Sequence, residues 1–323
     1  MKSSVKFYLL FSLFLLGTIL SFVTHSRAQG VSPSGEDIVN GALLYDKWYA
    51  ALKVNPPAND MLIWSRQSTN TRSGPDTWRC VECHGWDYKG LEGAYGSGSH
   101  FTGFPNIMKL VGQMSEEEIV SHLKGAIDPA HDFSPYVPEA SLSQLAVFLK
   151  YGLIDDAAYI DGISLKVIGG NETHGGQLFQ QTCSTCHGED GKTIIFHSEG
   201  VNEYLGTLAN RDPWRFLHRT RFGTTGTTMP VGFNLGWTPE DGRDILAYAQ
   251  TLPTGGEIPV VEPTTRPEVI PTKLPGGPAT NLFTGILTGL GAFVGVIGYA
   301  LLFTFGFILA GFLVITVLRR RKE

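Results

Sequence analysis

Apolar positions run unbroken at the two ends of this chain and periodically between them. Tyr8 to Val23 is almost continuously apolar, with Lys2 and Lys6 before it and Ser26-Arg27-Ala28 after it. That order predicts an export signal over residues 1–28, with an uncleaved anchor as the alternative. No charged residue stands between Leu274 and Leu318, and Arg319, Arg320, Arg321 and Lys322 follow at once. A spanning helix needs about 20 apolar residues. The apolar segment 281–318 therefore predicts a single transmembrane helix at about 294–318, with the basic tail 319–323 on the cytoplasmic side. Gly285 with Gly289, and Gly291 with Gly295, are spaced to seat a partner helix.

Between the ends, the pattern predicts two helical units. Gly41, Leu44 and Tyr45 mark an opening helix, and Leu142 to Tyr151 a closing one. In the second unit Gly175, Gly176, Leu178 and Phe179 open, and Arg243 to Leu252 close. Thr238-Pro239-Glu240-Asp241 supplies a cap, a first-turn proline and an acidic first turn. The units extend over 29–160 and 161–253. An insertion between Tyr49 and Cys80, with Pro56, Pro57, Ser73 and Gly74, distinguishes the first. Seven prolines from Pro253 to Pro278 then predict an extended, semi-rigid linker over 254–280.

Each unit contains one Cys-x-x-Cys-His: Cys80-Val-Glu-Cys83-His84 and Cys183-Ser-Thr-Cys186-His187, which together use all four cysteines. This is the attachment signature of c-type haem. Two thiols bond the porphyrin, and the adjacent histidine becomes the proximal iron ligand. One helical turn presents all three groups to one porphyrin edge. A four-cysteine zinc site, a redox pair and a disulfide are the competing readings. Zinc pairs sit about 15–20 residues apart, and a redox pair has no use for histidine twice over. Covalent haem also agrees with export, because its attachment takes place outside the cytoplasm.

Over nearly all of residues 35–253 the two units resemble the class I cytochrome c domain: a Gly/aromatic opening helix, Cys-x-x-Cys-His-Gly, a ligand loop and a closing helix. The resemblance implies an all-α fold of two tandem haem domains, each closing helix packed across its opening one, with two covalently bound haem c groups. It also implies a sixth ligand from a methionine before the last helix. Met229, in Thr227-Thr228-Met229-Pro230, matches that place, with His174, His197 and His218 as competitors. The first unit departs from the family. His131 stands in the matching position, 47 residues after His84 as Met229 is 42 after His187. His/His ligation is thus expected at the first haem, with Met108, Met114, His100 and His122 as alternatives. A methionine ligand raises the potential relative to histidine, so electrons are expected to move from the first haem to the second.

The net charge of −5 becomes about −11 once the basic leader (Lys2, Lys6, Arg27) and the tail, net +3, are set aside. Such a surface disfavours nucleic acid and attracts basic redox partners. Arg215, Arg219 and Arg221 stand out, either pairing with haem propionates or lying on a solvated helix face. Trp78, Trp86, Trp214 and Trp237 read as core. The resulting expectation is a bacterial plasma-membrane electron carrier with periplasmic haem domains. It would pass electrons between redox proteins or respiratory-complex subunits at the outer face of the membrane. A di-haem enzyme acting on peroxide or sulfur compounds, or a subunit stabilised by its haems, is the alternative. No catalytic acid–base pair stands beside either motif.

Overall fold

The opening helix of each unit meets the closing helix at a glycine. In the first, α1 (Gly35–Ala51) crosses α5 (Glu139–Val147). A Cβ on Gly41 would lie 2.2 Å from the Gln144 carbonyl oxygen and 2.5 Å from Phe148 Cβ. In the second, α6 (Glu172–Leu178) crosses α10 (Pro239–Ala249), where a Cβ on Gly175 would lie 1.8 Å from the Asp244 carbonyl oxygen. Both distances fall well inside van der Waals contact, so only glycine permits either approach.

The computed structural model describes residues 33–198 and 201–255. The leader, the anchor, the basic tail and all but the first two linker residues lie outside that range. Every described residue belongs to one compact unit, Met1–Glu268. The fold is mostly helical. Between α1 and α5 come α2 (Cys80–His84), α3 (Ile107–Val111) and α4 (Glu116–Leu123); α7 (Ser184–His187), α8 (Leu205–Arg211) and α9 (Pro213–Phe222) lie between α6 and α10. A short antiparallel pair, β1 (Phe196–Ser198) and β2 (Val201–Glu203), sets Phe196 opposite Glu203. Among the described residues no helix is long and apolar enough to cross a membrane.

Local chemistry explains the helix ends. Thr238 and Asp241 form a reciprocal capping box on α10, with Pro239 in its first turn. Asn171 caps α6 by accepting from the His174 amide, so that helix begins three residues before the glycines. Beyond Val147 and Leu178 both helices widen into π turns, Phe148–Gly152 and Phe179–Cys183. The second delivers the chain directly into Cys183. In the first unit the insertion intervenes, and 3₁₀ turns Leu62–Arg66 and Gly74–Trp78 order it. Its indoles are tied to backbone: Trp64 Nε1 donates to Arg72 O at 3.0 Å and Trp78 Nε1 to Asn59 O at 2.8 Å, while Trp48 Nε1 of α1 donates to Trp78 O at 2.9 Å.

Two apolar cores result, one around Tyr45, Trp48, Leu142 and Phe148, the other around Phe179, Leu217, Ile245 and Leu246. Helix α9 serves both. Leu217 faces the second core, whereas Phe222 enters the first. The Arg221 guanidinium holds Asp156 through two bonds, 2.7 and 3.1 Å, with both side chains buried.

Gly175→Ala is expected to cost about 1–3 kcal/mol or more, because the added methyl must force two backbones apart, and Gly41→Ala is expected to behave likewise. At Gly162 an added methyl would meet nothing within 4 Å, so alanine there is tolerated to within about 0.5 kcal/mol. Denaturant unfolding of the three variants checks this; equal midpoints for Gly175→Ala and Gly162→Ala would contradict it.

Candidate functional site

Cys80–His84 and Ser184–His187 each form a single helical turn stopped by a glycine at positive φ, with Cys183 ending the π turn that leads into the second. Gly85 stands at φ 76° and Gly188 at φ 78°, a region that residues with a Cβ rarely enter. Tyr45 Oη of α1 donates to the Gly85 carbonyl at 2.7 Å and ties the first turn to its opening helix. No disulfide joins the four cysteines. Burial pushes Cys80 up to about 12 and Cys183 up to about 11, and it raises Cys83 as well. Cys186 is exposed.

At the first motif the structure brings together the two histidines expected to share an iron. The His84 and His131 ring centroids lie 6.5 Å apart with planes at 82°. Two metal–imidazole bonds of about 2.0–2.1 Å, plus roughly 1.1 Å from each ligating nitrogen to its ring centre, sum to a little over 6 Å. The centroid separation is of the size that one metal ion between two imidazoles requires. His84 Nδ1 is 3.1 Å from the Pro105 carbonyl oxygen, so with Nδ1 as donor Nε2 keeps its lone pair for a metal. The His122 backbone pulls the His131 pKa upward, against the burial that lowers it. Burial holds both rings in the neutral, ligating form: His84 is pushed down to about 4, helped by the nearby His131, and His131 also lies below its ordinary value. Phe133 packs edge-on against His131 at 5.1 Å.

His131 rides on a three-residue turn, Pro129–His131, before the closing helix. The alternatives lie elsewhere. Met108 and Met114 pack against the first core. His100 stacks on Tyr95 at 4.5 Å, and His122 lies in the last turn of α4.

The second motif is more open. His187 stacks beside Phe196, centroids 6.0 Å apart, and burial lowers its pKa. Its Nδ1 is buried without a hydrogen-bond partner among the described residues. Met229 is half-buried in the loop between α9 and α10, and its Sδ accepts from Thr224 Oγ1 at 3.1 Å. No hydrogen bond or ring contact joins His187 to Met229 among the described residues. Of the competitors, His174 pairs with Asp244 at 3.0 Å, and His197 lies on β1 opposite Asn202.

Helix α9 departs most from the sequence reading. His218 is only 1% exposed and sits within the first unit's aromatic core, near Tyr45, Trp86, Phe148 and Phe222. Its Nδ1 shares a 2.7 Å hydrogen bond with Tyr88 Oη. The α9 arginines do not form a solvated face. Arg221 takes Asp156; Arg219 lies over Trp86 at 5.3 Å and 3.7 Å from Asp46; Arg215 reaches Glu203 and Asp212. Sequence reasoning missed Tyr88, Asp46 and Asp156 because their partners are distant along the chain.

Among the described residues no three His, Cys, Asp or Glu side chains converge as they would on a bare metal ion. No protein-family model matches this chain, and no curated protein matches it.

Burial pushes His218 down to about 4, against the opposing pull of Asp46 and the Ala42 backbone. Its unfolded value is near 6.5. The folded state therefore binds fewer protons between those pH values, and stability falls as pH drops from about 6.5 to 4, by up to roughly 3 kcal/mol. Denaturant unfolding of His218→Gln across that range is expected to show a shallower fall than the parent; identical slopes would contradict it.

Proposed function

We propose that this protein is a membrane-anchored di-haem c-type cytochrome that carries electrons between redox proteins at the outer face of a plasma membrane. The observation that carries the reading is the paired Cys-x-x-Cys-His turn, each ended by a left-handed glycine, with a second imidazole set opposite His84. Cys80 and Cys83 would hold one haem and Cys183 and Cys186 the other, with His84 and His187 as proximal ligands. When bound, each haem iron supplies a one-electron change.

The chain's own residues define the two sites differently. At the first, the Pro105 carbonyl orients His84, and burial keeps both rings neutral. At the second, Thr224 orients the Met229 sulfur, leaving its other lone pair for a metal. A thioether ligand favours the reduced iron relative to an imidazole, so the first site is the low-potential one. Burial and hydrogen bonding adjust the gap. The acidic exported part favours partners with a basic docking face. The apolar segment 281–318 would hold the assembly at the membrane, with the tail inside.

Potentiometric titration of the haem-loaded protein, followed optically and by EPR, tests this reading. Two low-spin haems with separate potentials are expected, the lower lost or shifted in His131→Ala and the upper lowered in Met229→His. Two indistinguishable potentials, each unaffected by these substitutions, would count against it.

A further inference from the structure

Resting on the reading of His131 as the first haem's second axial ligand, we propose that Arg66 is a positioning residue for that histidine. On this view the insertion between Tyr49 and Cys80 is the strut through which it acts. A three-residue 3₁₀ turn makes too few internal bonds to fix the direction of a ring. The His131 turn depends instead on Asp128 at its start. The Asp128 carbonyl accepts from the His131 amide at 2.8 Å, and its Oδ1 accepts from the Ala130 amide at 3.0 Å. The same carboxylate is gripped by the Arg66 guanidinium: Nη2 donates to Oδ1 at 2.9 Å, and Nη1 to Oδ2. This forked pairing fixes the carboxylate plane as well as its position. Arg66 also holds Asp128 below its ordinary carboxylate range.

The other end of the strut lies beside the haem motif. Arg66 ends the turn Leu62–Arg66, in which Ile63 and Trp64 are buried. Immediately before that turn, the Met61 amide donates to Thr77 Oγ1 at 2.9 Å. Thr77 is three residues from Cys80. The insertion thus links the cysteine side of the motif to the loop carrying the opposing imidazole. The second unit has neither insertion nor arginine at its ligand loop. There Thr227 and Thr224 supply local bonds: the Met229 amide donates to Thr227 Oγ1 at 3.2 Å, and Thr227 Oγ1 to Thr224 O at 2.8 Å. A flexible thioether adapts to a loosely held loop, whereas an imidazole has to present one nitrogen along one axis and gains more from an external brace.

The test uses the full-length, haem-loaded protein with cyanide as an external ligand. Loosening the His131 turn lowers the fraction of molecules with that ligand engaged, which raises apparent cyanide affinity at the first haem. Arg66→Ala and Asp128→Asn are each expected to raise it roughly threefold to tenfold and to weaken the first haem's low-spin EPR signal, leaving the second haem unchanged. Arg66→Lys is expected to fall between parent and alanine, because an ammonium cannot make the fork. Lys109→Ala, which removes an exposed pair with Glu92 in the same unit, is expected to match the parent. Should Arg66→Ala not accumulate, Arg66→Lys and Asp128→Asn decide the matter by the same readout. Parent-like cyanide affinity and EPR in Asp128→Asn and in the Arg66 variants, while His131→Ala still alters the first haem, would overturn the role of Arg66 alone. An unaltered first haem in His131→Ala would instead overturn the ligand assignment beneath it.

Discussion

Where the paired helices cross, there is no room for a side chain. Gly41 beneath Gln144 and Gly175 beneath Asp244 let two backbones touch, and everything downstream takes its position from those crossings. Each opening helix leads toward a Cys-x-x-Cys-His turn, and each closing helix returns across it. In the second unit the route is direct, through the π turn Phe179–Cys183. In the first, the insertion is threaded between them and pinned by Trp48, Trp64 and Trp78 through indole bonds to backbone carbonyls. The crossing is the shared element and the insertion the variable one. That division parallels the difference between a methionine loop and a histidine turn at the two sites.

Helix α9 makes the two units interdependent. It belongs to the second in sequence, yet it buries His218 and Phe222 in the first unit's core and joins Arg221 to Asp156. Charges so deeply buried stabilise only when paired, and removing one partner strands the other. Asp46 shows the same economy: burial alone would raise its pKa, but Arg219 and Arg79 together keep it low. The two Cys-x-x-Cys-His turns therefore sit on one packed body.

Part of this was legible in local sequence. The glycines that trail the two pentapeptides announce a turn that requires positive φ. Thr238-Pro239-Glu240-Asp241 carries a helix start in its own side chains. The place of His131 near His84 followed from analogy of position, because a loop before a closing helix occurs at nearly the same separation in both halves. The remaining features depend on pairs far apart in the chain. Arg66 and Asp128 are 62 residues apart and Tyr88 and His218 are 130 apart, and no periodicity links them. The arginines of α9 looked like a solvated face because helical spacing does not reveal which carboxylates a tertiary fold will bring under them. The short β pair escaped notice for a similar reason, since three residues per strand carry little alternation. The export signal and the membrane segment remain readings of composition at ends outside the described residues.

Mass spectrometry of the protein expressed in a host able to attach haem c tests the central claim most directly. The account requires the mass of two haems above that of the polypeptide. It also requires one haem on each tryptic fragment, linked at Cys80 and Cys83 in the first and at Cys183 and Cys186 in the second. A colourless protein of polypeptide mass alone, with four unmodified thiols, would contradict it.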